Sequence, residues 1–366
     1  MSDTKRFSRR DFFRLAGLAA LPLVAGGMIP KDEEVFEMLV VGDSLVWGQG
    51  LQEPDKFYTL VGNWIQTALG VTVNLKVKAH TAATIFLHER DAGFREKANA
   101  AGFREFRPEV GLAFPTLKDQ IDGAAADYRD PQKLRLVLLT GGLVDITVAG
   151  VLNPYGENEK LRKKIAKYCG EDMTAFLDHA GRVFPDALLV VAGYYPIITD
   201  ATDTGRMLNA FLEAYGFPTR IKPLVNNAVG KRFFRRVRRK AIERSAIWYE
   251  DSNRHLQAAV ERVNSRSGRI RALFVPSPIR PENAFETDDT LLFKIDRRGR
   301  TDDALFDERV VSCRETLSAM KKKLGYEDSV RQCEISSMGH PNVRGAAAYA
   351  AAIVERLKTA GGLSAL

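Results

Sequence analysis

The chain has 366 residues, of which 45% are hydrophobic and 27% are charged, and its formal net charge is +8. This composition is typical of a globular protein, and the length allows one large domain with insertions. Residues 220–245 hold ten Lys and Arg residues and one Glu, a local charge of +9 that leaves −1 of the total for the rest of the chain. Charge confined to one segment argues against a nucleic-acid-binding protein, which usually carries it over a whole face.

The first thirty residues have the pattern of a signal peptide. A basic stretch is followed by an eleven-residue apolar run, Leu15–Ala25, which is too short to span a bilayer. The string Ser-Arg-Arg-Asp-Phe-Phe-Arg at residues 8–14 resembles the twin-arginine export signal, which implies a periplasmic or secreted protein. Cleavage is expected near Gly26. Since no Ala-x-Ala site is present, an uncleaved anchor remains an alternative, as does a basic amphipathic helix on a cytosolic protein.

The remainder, residues 31–366, is predicted to form one α/β domain. Apolar, β-branched runs predict strands, and helical spacing of apolar residues predicts helices between them. This alternation is typical of a three-layer α/β/α sandwich around a parallel sheet. The second strand alternates apolar and polar residues, which favours a position near the sheet edge. The predicted strands are Val35–Val41, Val71–Ala79, Leu134–Thr140, Ala187–Gly193 and Ile270–Val275, and the predicted helices are Lys56–Leu69, Glu171–Phe184, Asp251–Asn264 and Val343–Thr359.

Two long gaps between these elements are interpreted as insertions at the rim of an active site. One covers about residues 197–249 and holds the basic segment, and the other covers Pro276–Ser337. Gaps of this length in a compact domain usually serve a function or form a small subdomain.

A serine follows the first predicted strand in the string Gly42-Asp43-Ser44-Leu45. Ligands of parallel α/β sheets gather at the carboxyl ends of the strands, so a serine here can present its hydroxyl to a substrate. The alternative is a turn with a helix N-cap and no chemical role.

A histidine near the other end of the chain is the natural partner for this serine. His340 lies in Gly339-His340-Pro341-Asn342, directly before the last predicted helix, where proline favours the first turn. A histidine held in this way suits a general base that acts on a distant serine. The alternative is a structural histidine without a chemical role.

Together these strings resemble the SGNH/GDSL hydrolase family over most of the chain after residue 30. The resemblance implies a five-stranded parallel sheet of flavodoxin-like order, Ser44 as nucleophile and His340 as general base. His80–Thr84 resembles the second family block and Gly141–Asp145 the third, which implies oxyanion donors at the backbone N–H groups of Ser44, Ala82 and, more weakly, Gly142. The family cleaves lipid, sugar and other esters without a metal or organic cofactor.

Two positions depart from the family pattern. Val144 stands where the family has an asparagine whose amide binds the oxyanion, and loss of one such donor costs about 10²–10³ in rate. Ser337 stands where the family has the aspartate that orients the histidine. We propose Glu334 as a weak candidate for that acid, with Asp302 and Asp328 as alternatives. Asp43 and Asp145 are interpreted as structural residues of the site.

The cysteines and histidines indicate neither a metal site nor a disulfide framework. Cys169, Cys313 and Cys333 form no C-x-x-C pair, and the five histidines lack ligand spacing. We interpret the cysteines as thiols, with a single Cys313–Cys333 disulfide as the alternative.

The basic segment has two interpretations. It is either a solvated helix face or a surface that binds anionic lipid or an acidic polymer. The cations concerned are Lys231, Arg232, Arg235, Arg236, Arg238 and Arg239.

Three functions remain open on this basis. The first is an exported esterase that forms an acyl-enzyme on Ser44, acting on a small-molecule, lipid or glycan ester. The second is an O-acyltransferase that uses the same residues. The third is a degenerate member that binds an envelope ligand without catalysis, for which Val144 and Ser337 argue.

Overall fold

A computed structural model describes residues 35–103, 107, 109–214 and 227–359. The predicted signal peptide at residues 1–30 lies outside the described residues, so it remains a prediction. The backbone of Lys231 is described, and its side chain is not.

The centre of the fold is a five-stranded sheet in the order β2-β1-β3-β4-β5, with every neighbouring pair parallel. This confirms the predicted sheet, its flavodoxin-like order and the edge position of the second strand. All residues of β4 are buried, which requires cover on both faces of the sheet. The strands are β1 Val35–Val41, β2 Thr72–Val77, β3 Leu134–Leu139, β4 Leu188–Ala192 and β5 Ala272–Val275.

Helices connect the strands and form two packed groups. The helices α2 and α13 pack on each other, and α8 packs against α4 and α10. A π-helical segment, residues 166–172, joins α7 to α8. The α-helices of the described residues are α1 Ser44–Trp47, α2 Phe57–Leu69, α3 Glu89–Ala100, α4 Leu117–Ala125, α5 Leu143–Ile146, α6 Val148–Leu152, α7 Asn158–Ile165, α8 Met173–Val183, α9 Thr204–Ala214, α10 Ala228–Ser267, α11 Phe306–Leu324, α12 Val330–Glu334 and α13 Val343–Thr359.

The carboxyl ends of the central strands lie side by side. Val41 at the end of β1 pairs with Leu139 at the end of β3, and Val40 pairs with Val77 at the end of β2. The loops that follow these strands therefore leave from one edge of the sheet, where the serine turn and the two blocks after β2 and β3 were expected to meet.

The two insertions are more regular than the sequence indicated. The predicted helix Asp251–Asn264 is the second half of the 40-residue helix α10, whose first half carries the basic segment. The second insertion contains α11 and α12, which a disulfide between Cys313 and Cys333 connects, with the Cα atoms 5.8 Å apart. The interpretation of these two cysteines as thiols is therefore wrong, whereas Cys169 is a buried free thiol.

A second apolar cluster lies beside the main core. Side chains from the segment between β2 and α4 pack against α11, and this segment includes α3, a helix that the sequence did not predict. The buried members of this cluster are Ala98, Phe103, Val110, Leu112, Phe114, Leu317, Met320 and Leu324. No helix among the described residues is long and apolar enough to cross a membrane.

Candidate active site

The turn that carries Ser44 depends on the glycine two residues before it. Gly42 has φ of +144°, and a Cβ atom there would lie 2.4 Å from the carbonyl oxygen of Thr140. The side-chain amide of Gln120 accepts from the Gly42 N–H at 2.7 Å and donates to the Gly42 carbonyl at 3.1 Å. The two hydrogen bonds hold the backbone of the turn against α4, and the close approach to Thr140 leaves no room for a side chain at position 42.

Asp43 caps the short helix α1 that begins at Ser44. Its buried carboxylate accepts hydrogen bonds from the Leu45 N–H, from the Thr140 hydroxyl at 2.7 Å and from the Tyr194 hydroxyl. Burial raises the pKa of this carboxyl, and these hydrogen bonds oppose the rise. These are the contacts expected of a residue that braces the turn.

One backbone N–H at the start of α1 is left without a partner. The N–H of Leu45 donates to the Asp43 carboxylate, that of Val46 to the Thr140 hydroxyl and that of Trp47 to the Asp43 carbonyl. The N–H of Ser44 makes no hydrogen bond with any described residue. A free N–H at a helix start is a ready donor for a developing negative charge.

Ser44 and His340 lie in direct contact, although they are 296 positions apart. The Ser44 Oγ is 2.7 Å from His340 Nε2, and Ser44 is only partly buried, so a substrate can reach it. With the hydroxyl donating to Nε2, the ring proton resides on Nδ1.

The loop that carries His340 is held on both sides. Backbone hydrogen bonds join Phe293, in the second insertion, to Gly339 and His340, and the Tyr195 hydroxyl donates to the Gly339 carbonyl at 2.8 Å. Tyr194 and Tyr195 follow β4 after one residue, Gly193. Tyr194 binds the serine turn and Tyr195 binds the histidine loop, so two consecutive residues support both sides of the site.

No carboxylate of the described residues reaches the other nitrogen of the His340 ring. Nδ1 is buried and makes no hydrogen bond there. The expectation that Glu334 orients this ring is wrong. The Glu334 carboxylate pairs instead with Arg314 at 3.0 Å and with Arg331 at 3.4 Å, because these two cations lie on neighbouring turns of α11 and α12.

The two alternative acids are also engaged elsewhere. The Asp302 carboxylate accepts the backbone N–H of Lys294 at 2.7 Å, and that of Asp328 accepts the N–H of Ser329 at 2.7 Å.

Ser337 does not take over the role of the family aspartate. Its buried hydroxyl donates to the Asp303 carboxylate at 2.6 Å and accepts from Arg309 at 2.9 Å. Asp303 and Arg309 form a fully buried bidentate ion pair, with N–O distances of 3.0 and 2.6 Å. The Ser337 carbonyl accepts the His340 N–H at 2.9 Å, so the ion pair supports the backbone of the histidine loop rather than the ring.

The environment of His340 favours a neutral ring. Burial lowers the pKa of His340 to about 4, the charge of Arg309 adds to the lowering, and the backbone carbonyls of Ser336, Ser337 and Met338 oppose it in part. The ring is therefore neutral at pH 7, which is the form that accepts a proton.

The loop with Ala82 is tied to the serine turn. The N–H of His80 donates to the Gly42 carbonyl at 3.2 Å, and the N–H of Thr84 donates to the Ala113 carbonyl at 3.2 Å. Ala82 has φ of +65°, a left-handed conformation that favours glycine, and its N–H makes no hydrogen bond with the described residues. The geometry thus leaves this N–H available as a second donor.

The block after β3 has a supporting role. The buried Asp145 carboxylate accepts the N–H of Ile85 at 3.3 Å and contacts His88 Nε2 at 2.8 Å, which fastens the loop after β2 to α5.

Gly142 has φ of +116°, and a Cβ atom there would lie 2.8 Å from the Cys169 sulfur. Val144 lies half-buried in α5. The role of Gly142 as an oxyanion donor remains a prediction.

Several supporting residues were missed by sequence reasoning. The fully buried Gln49 donates to the Ser336 hydroxyl at 2.8 Å and accepts from the Thr81 hydroxyl, so it links the histidine loop to the Ala82 loop. The position of Tyr194 and Tyr195 at the carboxyl end of a strand was a usable signal. No signal in the sequence indicated Gln120 or the Asp303–Arg309 pair, because their partners are distant in sequence or lie within an insertion.

Comparisons with known proteins give weak likenesses to lipases and esterases. No protein-family model matches the chain, and no curated protein matches it. An extracellular lipase from Streptomyces rimosus is 12% identical over 88% of this chain and 99% of that chain, with a TM-score of 0.43. A lipase from a goat rumen metagenome is 13% identical over 88% and 97%, with a TM-score of 0.40. A family 3 carbohydrate esterase from Clostridium thermocellum is 13% identical over 91% and 100%, with a TM-score of 0.39.

Likenesses at this identity and TM-score do not assign a family. Among the described residues, no cluster of three or more His, Cys, Asp or Glu side chains is placed to hold a metal ion. The functional conclusion therefore rests on the geometry of the site.

Proposed function

We propose that the protein is a serine hydrolase that cleaves carboxylic esters through an acyl-enzyme on Ser44. The observation that carries the proposal is the 2.7 Å contact between Ser44 Oγ and His340 Nε2, at the edge of the sheet where the strands end. The unpaired N–H groups of Ser44 and Ala82 support it, since acyl transfer needs donors for a developing oxyanion.

The reaction follows from these positions. His340 Nε2 takes the Ser44 proton as Oγ attacks the ester carbonyl, and the carbonyl electrons move to the oxygen, where the free N–H groups stabilise it. The tetrahedral intermediate collapses with loss of the alcohol, which takes the proton from His340. Water then attacks the acyl-enzyme and gives a proton to His340. The second tetrahedral intermediate collapses, the carboxylic acid leaves, and His340 returns the proton to Ser44 Oγ.

The site lacks two features that accelerate such reactions. No carboxylate among the described residues stabilises the imidazolium, and Val144 cannot donate to the oxyanion. A missing oxyanion donor alone costs about 10²–10³ in kcat. We therefore propose a Ser–His dyad that turns over slowly.

The lack of a carboxylate at His340 and of a donor at Val144 also favours a second candidate, a protein that binds an ester-like ligand without turnover. The His340 ring has backbone carbonyls near it, and no carboxylate of the described residues supports its protonated form. The two candidates differ in whether Ser44 becomes acylated.

We propose that the protein acts outside the cytoplasm. The sequence of residues 1–30 favours export, and the Cys313–Cys333 disulfide supports it, since such bonds persist mainly in oxidising compartments.

Hydrolysis of p-nitrophenyl acetate tests the proposal. Ser44→Ala and His340→Ala should each lower kcat by at least about 10³, as in other serine hydrolases. Ser267→Ala, at an exposed position, and His179→Ala, at a partly exposed position in contact with Asp122, are the matched controls and should keep the wild-type rate. Equal activity of wild type and Ser44→Ala would falsify the hydrolase proposal. Added glycerol in the same assay distinguishes hydrolysis from acyl transfer, because a transferase forms the glycerol ester faster than the acid.

A further inference from the structure

A row of arginines lies on one face of α10, the 40-residue helix between α9 and β5. Arg232, Arg235, Arg236 and Arg239 follow the spacing i, i+3, i+4, i+7, which places them on one side of a helix over about 10 Å. All four are exposed. We refer to these four residues as the arginine row.

The other side of this part of α10 is fixed to the body of the protein. Phe234 and Ala241 are buried, and the Arg238 guanidinium donates to the backbone carbonyls of Thr199, Asp200 and Thr202 at 2.8–3.3 Å. Rotation of the helix would break these contacts, which therefore favour the outward orientation of the arginine row. Arg238 therefore supports the helix and does not belong to the exposed surface.

The charge of the row is not neutralised within the protein. None of its four arginines forms an ion pair with an acid of the described residues, and the nearby Glu243 is bound to Lys240 and Asn158. Like charges at i, i+4 destabilise a helix by a few tenths of a kcal/mol per pair. Solvated helix faces usually carry both signs of charge, so a row of one sign fits a face that meets an anionic surface.

An exposed apolar residue continues the row towards the start of the helix. Val229 is 79% exposed and lies three residues before Arg232 and seven before Arg236, on the same face. A cationic row with an apolar residue at its end suits the headgroup boundary of a bilayer. A soluble polyanion has no apolar interior into which an exposed valine could insert.

We propose that the arginine row docks the protein on a membrane surface that contains anionic lipid. This inference is independent of the chemistry at Ser44. Each cation near such a surface strengthens binding roughly fivefold, so removal of four weakens it by several hundredfold at low salt.

Sedimentation of the full chain with phosphatidylglycerol–phosphatidylcholine vesicles tests the proposal. Replacement of the four arginines by Gln should reduce binding by several hundredfold, and Val229→Ser by a few-fold. The matched control replaces four other exposed arginines, Arg129, Arg182, Arg297 and Arg298, by Gln, which removes the same charge. This control should bind nearly as well as wild type, and binding should weaken as salt is added. Every variant keeps the basic N-terminal residues, so the comparison isolates the row.

Three outcomes would overturn the proposal. The row variant could bind the vesicles as tightly as the control variant does. Wild type could fail to bind anionic vesicles. Wild type could also be displaced from the vesicles by soluble heparin because it binds heparin more tightly. The last result would assign the row to an acidic polymer. A far-UV circular dichroism spectrum and a urea unfolding midpoint equal to those of wild type show that the row variant is folded.

Discussion

Acid pH is the perturbation that tests the environment of His340 most sharply. The ring must be neutral to accept the Ser44 proton, so the rate falls when the ring becomes protonated. An unperturbed histidine has a pKa of about 6.5. Burial, followed by the charge of Arg309, lowers the pKa of His340 to about 4. At pH 5 about 90% of such rings are neutral, against about 3% of unperturbed ones.

The assay is kcat/KM for a p-nitrophenyl ester between about pH 3 and pH 8, which reports groups of the free enzyme. We expect nearly full activity at pH 5 and a half-maximal value near pH 4. Asp43 is a buried carboxyl next to Ser44 whose pKa is raised by burial, so it could also titrate in this range, and Asp43→Asn is the control. This variant is expected to lower the rate and to leave the midpoint in place. A midpoint near 6.5, or one that moves in Asp43→Asn, would refute the assignment to His340.

The same lowered pKa has a consequence for stability. The ring takes up a proton near pH 6.5 when unfolded and only near pH 4 when folded. Below about pH 6.5 the unfolded chain therefore binds a proton that the folded chain does not. The free energy of unfolding is unaffected by this ring above about pH 6.5 and decreases as the pH falls towards 4. The full loss is about 3 kcal/mol. Urea unfolding at both pH values should show a smaller pH dependence in His340→Asn than in wild type.

Three further changes have defined outcomes. Tyr195→Phe removes the hydrogen bond to the Gly339 carbonyl, so kcat should fall about fivefold with little change in KM, because the histidine loop loses about 1 kcal/mol of support; an unchanged kcat would show that the loop is held without it. Ala82→Gly relieves a left-handed conformation and keeps the N–H, so urea unfolding should show a gain of about 1 kcal/mol without loss of activity; a large loss of activity would show that the Ala82 methyl group is needed. Cys313→Ser opens a loop of 20 residues, and thermal unfolding should show a loss of about 3 kcal/mol in oxidised protein; equal stability would count against a bond that holds α11 to α12.

The sheet and the position of Ser44 were predictable because they depend on local patterns. Apolar runs locate buried strands, and β1 has the predicted bounds Val35–Val41. Parallel topology then brings the turn after β1 to the same edge as the other loops, which is why Ser44 could be placed before any coordinates.

The helices that were missed or shortened have weak local patterns. Glu89–Ala100 is mostly charged or polar, and its few apolar residues pack on α11, more than 200 positions away in sequence. The first half of α10 is dominated by cations, so apolar periodicity identified only its second half.

The support of His340 could not be predicted for a related reason. Glu334 was the nearest acid in sequence, yet Arg314 and Arg331 take its carboxylate. Asp303 lies 37 positions before His340 and acts on the backbone of the loop through Ser337. Such side-chain contacts depend on how an insertion folds, which neither residue spacing nor hydropathy predicts.

Labelling with a fluorophosphonate, followed by mass mapping of the peptides, tests the central claim most directly. The reagent reacts only with an activated serine hydroxyl, whatever the natural substrate is. We predict one adduct, on Ser44, which forms much more slowly in His340→Ala than in wild type. An unmodified Ser44 in folded protein, or an adduct on another serine that accompanies ester hydrolysis, would contradict the account.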